Sequence, residues 1–467
     1  MRLRRAAAVN AARLAAAVSR ASGRGGTALP GLVATAMDPD IIAALASQLP
    51  VGSVIVAGTN GKTTTSRMLA AIVTSAGMKP VRNESGSNLA RGLAASLVRR
   101  AGPTGNLARA DRAVGLFETD EAALPAVIRS VRPRILVLLN LFRDQLDRYG
   151  EVATIAGLWK GALQELTGAT IVANADDPLV AHLVQTTEAP HIFFGIQSAP
   201  ESLSGLPHAA DVKACPNCGA PIDFSVTFVG HLGHYICRTC GFSRPAPQVA
   251  AEDVRLNGVD GSLFAITDSD ERISVALPLP GLYNVYNATA AAAAACALGI
   301  RLCEVRAGLE NVTPAFGRME RLEIDGRHVY LALAKNPTGL NEVLRTIESV
   351  EQPLFLLPML NDNIADGRDV SWIWDADVEM LRGRVASATF SGTRAADMAL
   401  RFKYAGVTAP AGSALWSIEP DPEHALRSAL SATPRGERLF VLPTYTALLQ
   451  MRGVLTRCGL ARPYWEE

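Results

Sequence analysis

Two periods of apolar residues alternate along the chain. Residues 51–58, Val-Gly-Ser-Val-Ile-Val-Ala-Gly, form a nearly continuous apolar run closed by glycine, as expected of a buried strand entering a turn. From Lys62 to Ser75 the spacing becomes helical, and Gly77 stops it. Further strand candidates are Ala113–Phe117, Ile135–Leu139 and Ile171–Ala173, with helical stretches between them. Such alternation predicts an α/β fold, a parallel sheet with helices on its faces. A Pro-, Gly- and His-containing stretch at about 200–245 breaks the rhythm and reads as an insertion. The pattern resumes at Ile273–Leu277 and in an Ala-rich helix, Ala288–Leu298. A break near Thr313–Gly317 precedes a second α/β stretch, with strand candidates Val329–Leu333, Leu354–Leu357, Ala388–Ser391 and Leu439–Leu442. The expected domains are an N-terminal helical segment over 1–48, a central domain over 49–315 and a C-terminal α/β domain over 316–467.

At the N-terminus, Leu3, Ala7, Leu14 and Val18 would line one side of a helix. That side is expected to pack on the domain, with a membrane-surface helix as the alternative. Arg13 and Arg20 interrupt the apolar residues, so a secretory signal fits poorly. No apolar run reaches the ~20 residues of a membrane span.

Composition narrows the function classes. Of 467 residues 49% are hydrophobic and 19% charged, enough for a real core and against global disorder. The net charge of +1 supplies no overall basic field for nucleic acid.

The candidate chemistry begins at Gly58-Thr59-Asn60-Gly61-Lys62-Thr63-Thr64, between the first strand and the first helix. Glycines let backbone N–H groups turn toward a phosphate, and the helix N-terminus adds partial positive charge. Lys62 can reach the outer phosphates and the Thr63 hydroxyl can hold Mg²⁺. The general Walker pattern would place a glycine at Val56, so this is a variant form. Glu118, in Phe117-Glu118-Thr119-Asp120-Glu121, follows a strand candidate and would face the same crevice as a hard oxygen ligand, or else lie in a solvated acidic loop. Cys215-Pro-Asn-Cys218 and Cys237-Arg-Thr-Cys240, 18 residues apart and each followed by glycine, carry the spacing of a closed four-thiolate zinc ribbon. His231 and His234 are expected at the surface or in packing rather than as ligands.

The phosphate-loop sequence resembles that of the Mur and folylpolyglutamate ligases, and further segments follow in family order. Asn174-Ala-Asp-Asp-Pro178 matches a strand end of the family. Gly281-Leu-Tyr-Asn-Val-Tyr-Asn287 is similar to its Gly-x-His-Asn-x-x-Asn, where asparagines lie by the adenine, and Gly317-Arg318-Met-Glu320 to its Gly-Arg-x-Glu. The resemblance implies a Mur-ligase-type P-loop central domain, with the four-cysteine zinc ribbon inserted, followed by a Rossmann-like α/β C-terminal domain. It implies ATP and Mg²⁺ as cofactors beside Zn²⁺. Asn287 first and Asn284 second would contact the base, helix capping being the alternative, and Arg318 would approach the phosphates. The segment Asn140–Gly150 is similar to the family's Asp-His-Leu-Asp-x-His-Gly, with Gln145 in place of a histidine that often binds a second metal. Lys160 is one residue off the spacing of the carbamylated lysine many members carry.

Two departures narrow the resemblance to a glutamine-dependent branch of the family. Leu333–Asn336 replaces the family's Asp-Tyr-Ala-His-Asn, losing the Asp and His that help bring an amino acid to the acyl phosphate. The ribbon insertion, absent from ordinary Mur ligases, occurs in that branch. There, the Asp of Gly-Arg-Asp, here Asp369, is thought to complete a Cys–His pair on a partner glutaminase; a capped structural loop is the alternative. Cys296, Cys303 and Cys458 lack the setting of a glutaminase nucleophile. A GatD-type class I glutamine amidotransferase is therefore the implied partner, and lipid II, whose stem-peptide D-glutamate is amidated at its α-carboxylate, the implied substrate. The expected place is the cytoplasm, at the inner face of the membrane and touching it only through the substrate. The rival readings are a ligase joining an amino acid to a carboxylate, and a non-enzymatic zinc-ribbon binder of nucleic acid.

Overall fold

The computed structural model describes all residues except 1, 22–28, 84–88, 108–110, 145–151, 198–199, 201, 209, 270, 352, 408–415 and 462–467. Residues 145–150 of the segment similar to the family's second-metal motif, Gln145 included, lie outside the described residues.

The central sheet has nine strands. Six parallel strands stand in the spatial order His191–Ile196, Thr170–Asn174, Ile135–Leu138, Ser53–Ala57, Ala113–Thr119, Lys79–Arg82. Val249–Leu256 adds in parallel beside His191–Ile196, and Ser262–Asp268 and Glu271–Leu277 extend that edge antiparallel. Ser53–Ala57 is buried along its whole length because both faces are covered. Its side chains divide as a pleated strand requires: Val54 and Val56 enter the core under the helices Lys62–Ser75 and Leu282–Ala297, Ile55 and Ala57 the core on the opposite face. The helix Leu302–Glu310 crosses Lys62–Ser75 so closely that a Cβ on Gly308 would stand 2.4 Å from the Ile72 Cα.

The C-terminal sheet begins at Arg318, and its six strands run Arg318–Ile324, Arg327–Ala332, Arg438–Pro443, Leu354–Met359, Val385–Phe390, Trp416–Ile418 in space. All pairings are parallel except the first hairpin. Leu356 and Phe440 face the helices Pro337–Glu348 and Ala395–Tyr404; Leu357 and Val441 face Pro422–Ala432 and Tyr445–Arg457.

Four central strands escaped the periodicity argument: Lys79–Arg82, His191–Ile196, Val249–Leu256 and Ser262–Asp268. The first is only four residues with Pro80 inside, and the last, one strand in from the sheet edge, carries only the short apolar stretch Leu263–Ile266, so neither offers a long apolar run. The Ala-rich helix begins earlier than expected, at Leu282. The N-terminal helix Arg2–Ala21 packs on the face opposite to the one expected. Ala8, Val9 and Ala12 are buried, whereas Leu3 is 89% exposed, Leu14 67% and Val18 61%. Small side chains let this helix approach its neighbour Leu29–Met37 closely, an advantage a hydrophobicity pattern does not register.

Candidate active site and zinc ribbon

The loop after Ser53–Ala57 turns at Gly58 and Gly61. Gly61 has φ +90°, and a Cβ there would lie 2.1 Å from Asn287 Oδ1. Only glycine fits such a position without strain. The helix Lys62–Ser75 starts immediately after it, so the first-turn N–H groups face the loop. Asn140 braces the loop from the neighbouring strand end: its Oδ1 accepts from the Asn60 N–H at 2.9 Å and its amide donates to the Asn60 carbonyl at 3.1 Å.

The charges of the site are buried and mutually compensated. The Lys62 ammonium donates to the Gly58 carbonyl at 2.5 Å and to Glu121 at 3.0 Å. Burial disfavours the ammonium, but Glu121, Asp120 and Asp144 outweigh this, and the Lys62 pKa is raised. Burial also works against ionisation of Glu121, and Lys62 and Lys335 overcome it, leaving that carboxyl below its ordinary value. Glu118 is buried and accepts from the Thr63 hydroxyl at 2.7 Å. Burial raises its pKa despite Thr63, Lys62, Arg82 and Arg318. Asn83 fixes its backbone, receiving the Glu118 N–H at 3.0 Å and donating to the Glu118 carbonyl at 2.9 Å.

Thr63 and Glu118 thus offer adjacent hydroxyl and carboxylate oxygens beside the loop, a donor set suited to a hard divalent cation. Lys160 projects from the helix Val152–Gln164 into solvent.

A cleft of about 690 Å³, open mouth included, lies between the two domains. Asn60, Gly61 and Thr64 line it from the loop, Tyr283, Tyr286 and Asn287 from the long helix, and Arg318 and Glu342 from the C-terminal domain. Its lining of apolar side chains with a few polar groups, among them Asn287 and Arg318, suits a small-molecule ligand. Burial pulls the Arg318 pKa down against the influence of Tyr283, Glu118 and Asp144. Asn287 lines the cleft beside Gly61, but its amide is engaged: Oδ1 accepts from Thr65 at 3.3 Å and Nδ2 donates to Asn284 Oδ1 at 3.1 Å. Asn284 in turn donates to the Pro280 carbonyl at 2.8 Å. Neither asparagine caps the helix; Gly281 occupies that position without a side-chain bond. The pair ties the long helix to the phosphate loop.

Two contacts across the domain boundary were not foreseen. The Asn336 amide donates to Asn60 Oδ1 at 3.1 Å while Asn336 Oδ1 caps its own helix at Gly339, 2.7 Å away. Lys335 forms an ion pair with buried Asp144. The Lys335-Asn336-Pro337 order, a side-chain cap followed by proline at the first turn, was the readable signal.

Asn174–Pro178 is a buried hub. The Asp176 carboxylate receives the Ile196 N–H at 2.8 Å, the Tyr286 hydroxyl at 2.7 Å and Arg244 at 2.5 Å. Asp177 caps the next helix and receives the Leu141 N–H at 2.9 Å.

The four ribbon sulfurs all lie within 4.8 Å of one another, with Cys215–Cys240 and Cys218–Cys237 both at 3.6 Å. Tetrahedral zinc with ~2.3 Å bonds would separate sulfurs by about 3.8 Å, so the cage fits that ion. Gly219 and Gly241 close the knuckles at φ +76° and +78°. The hairpin Asp223–Val229 and Leu232–Ile236 then runs from this cage to the cleft, which Val229 and Leu232 line. At its turn, fully buried His231 packs on Phe142 at 4.6 Å; His234 contacts the Ile196 carbonyl at 2.9 Å. His231 Nε2 also stands 3.4 Å from the buried Asp177 carboxylate.

In the C-terminal domain Asp366 and Asp369 share a loop and differ in setting. Asp366 is buried and receives the Thr446 N–H at 2.7 Å. Asp369 is exposed; it accepts from the Ser371 N–H at 2.8 Å, and its contacts to Ser371 lower its pKa. Trp374, Tyr404 and Ile364 are also exposed in this domain. Cys303 and Cys458 are exposed, and burial pushes the Cys296 thiol up to about 12, away from a reactive thiolate.

Residues 56–215 match the Mur ligase middle domain and 333–448 the MurT ligase C-terminal domain. The MurT subunit of a glutamine-hydrolysing lipid II isoglutaminyl synthase from Staphylococcus aureus is 32% identical over 97% of this chain and 98% of its own length. The chain belongs to the MurT family. Its counterpart from Streptococcus pneumoniae is 30% identical over 94% of both chains. Among solved structures, a pseudomurein peptide ligase from Methanothermus fervidus superposes with TM-score 0.64 at 23% identity, covering 87% of this chain and 78% of that one. The Mycobacterium tuberculosis folylpolyglutamate synthase does so with 0.60 at 16%, covering 92% and 94%. The chain therefore has the Mur ligase fold and is a Mur-type ligase of the MurT branch. No described helix is long and apolar enough to cross a membrane.

Proposed function

We propose that the chain is the synthetase subunit of a lipid II isoglutaminyl synthase. In this reading the α-carboxylate of D-glutamate in the stem peptide attacks the γ-phosphorus of ATP, and ADP leaves. Ammonia from a GatD-type glutaminase then attacks the acyl phosphate, phosphate departs, and D-isoglutamine remains. The observation that carries the reading is the Lys62–Thr63–Glu118 cluster at the mouth of a glycine-turned loop, where phosphoryl transfer depends on positioning and charge. Gly58, Thr59, Asn60, Gly61 and Thr64 shape the cradle for the phosphates, and Arg318 enters from the other domain. Thr63 and Glu118 would hold Mg²⁺, which supplies charge neutralisation between phosphate oxygens. Asn287, which lines the cleft, and secondly Asn284, hydrogen-bonded to it, would contact the base. The Cys215, Cys218, Cys237 and Cys240 cage would hold structural Zn²⁺. Asp369 would orient the partner's histidine from the surface, in keeping with its exposure. The work takes place in the cytoplasm at the inner face of the membrane, because the substrate is anchored there.

The test is reconstitution with a partner glutaminase, lipid II, ATP and glutamine, read by mass spectrometry of the stem peptide. Conversion of the carboxyl to a primary amide is expected, with one ADP per product. Transfer of an amino acid in place of ammonia would favour the rival ligase reading.

A further inference from the structure

The N-terminal helix carries a face that the ligase chemistry does not use. Leu3, Ala7, Leu14 and Val18 fall within roughly 60° of its circumference at 3.6 residues per turn. All four are at least partly exposed, and they stand roughly opposite the buried Ala8, Val9 and Ala12. Large apolar side chains gathered on one exposed helix face, rather than scattered singly, mark a contact surface.

Charge around that face is of one sign. Arg4 flanks it on one side, Arg2 and Arg13 on the other, and all three are exposed. The first 37 residues contain six arginines and no lysine, aspartate or glutamate. With a whole-chain net of +1, the remainder is net acidic, so the basic charge is segregated onto this segment. The apolar surface continues on the adjacent helix Leu29–Met37, where Leu32 is 54% and Met37 40% exposed. Arg4 Nε donates to the Met37 carbonyl at 2.7 Å, so the end of that helix lies beside the first turn.

We infer that this N-terminal helix is an interfacial docking helix that seats its leucine–valine face on an anionic phospholipid surface. An apolar stripe rimmed by arginine, on a helix unable to span a bilayer, is the pattern of such elements. The complementarity favours anionic phospholipid over a protein partner: the charges flanking the stripe on the helix itself, Arg2, Arg4 and Arg13, are all cationic. Arg4 also bonds the Met37 carbonyl, Arg13 reaches the Ala101 carbonyl and the inner face packs on the domain, so the helix is presented already folded. The proposed membrane-held substrate would make this face useful, but the inference stands on the helix alone.

The experiment is sedimentation of the full chain with phosphatidylcholine vesicles, with and without phosphatidylglycerol. Binding is expected to the mixed vesicles and to weaken with salt, since each arginine near an anionic surface contributes roughly fivefold. Leu3→Glu with Leu14→Glu and Val18→Glu should weaken it by about fiftyfold or more. Arg2→Ser with Arg13→Ser, a milder surface change, should weaken it about twentyfold. None of these should alter ATP turnover on a water-soluble stem-peptide substrate. Absence of vesicle binding, unchanged binding by both variants, or a dimer that the triple variant dissolves would each overturn the inference. Vesicle binding by a chain that fails to amidate would leave it intact and sink the proposed function instead.

Discussion

The phosphate loop and the Asp369 loop both centre on carboxylates, and they are built in opposite ways. Lys62, Glu118 and Glu121 are buried and partnered: Glu121 faces the ammonium, Thr63 donates to Glu118, and Asn83 holds the strand end. Around Asp369 the carboxylate sits in solvent, aligned by the Ser371 N–H, while its neighbour Asp366 is buried to hold the loop. A step the chain performs by itself needs preorganised dipoles in a dry pocket. A step completed by a second protein needs a group left accessible. On the proposed function, burial separates what this chain would do by itself from what it would lend to a partner.

The sharpest test of that contrast removes the ammonium. Lys62→Ala should lower ATP turnover by about a thousandfold or more. Because it also strands the buried Glu121 charge, the companion Lys62→Ala/Glu121→Gln should recover melting temperature without recovering turnover. Near-normal amidation by either variant would refute the role of the loop.

Next in size is Glu118→Gln, with a loss of about a hundredfold in kcat and a higher Mg²⁺ requirement. The raised Glu118 pKa gives this a pH signature. As pH falls the carboxyl protonates earlier than an ordinary glutamate, so Mg²⁺ affinity should weaken above the usual carboxylate range. The metal-free fold has the opposite sign: stability from a raised carboxyl is present below its unfolded value and fades as pH rises through the folded one. In Glu118→Gln both contributions should disappear, which titration calorimetry and melting curves would detect.

Asp369→Asn should cut glutamine-driven amidation by about ten- to a hundredfold while leaving ammonia-driven amidation intact. Asp366→Ala should instead cost about 1–3 kcal/mol of stability and depress both. Equal loss of both ammonia sources in Asp369→Asn would mean the two loops do not divide the work. The smallest effect belongs to the ribbon. If the cage holds Zn²⁺ as proposed, chelating it should weaken nucleotide binding by roughly five- to tenfold, because Val229 and Leu232 line the cleft. An unchanged affinity would show that the hairpin holds its place without the cage.

Much of this was legible in the order of residues. The phosphate loop, the helix Lys62–Ser75 and the cysteine knuckles are local features, fixed by backbone conformation and short spacing, and the structure forms them where the spacing put them. What escaped was long-range. Nothing near Asn287 in sequence announces its contacts with Thr65 and Gly61. Glu121 was visible beside Glu118, yet its pairing with Lys62 depends on how two strand ends align. The N-terminal helix misled for a physical reason: close packing rewarded its alanines, so its larger apolar residues point outward.

The amide pair between Asn60 and Asn336, with the Lys335–Asp144 ion pair beside it, anchors the start of the helix Pro337–Glu348 directly to the nucleotide loop. A rotation of the C-terminal domain cannot leave these two clasps unstrained, so inter-domain motion and the shape of the triphosphate cradle are one mechanical variable. If the ammonia source docks beside Asp369 as proposed, its docking site rides on the same body that tugs the loop, and arrival of one reactant would be felt where the other is energised.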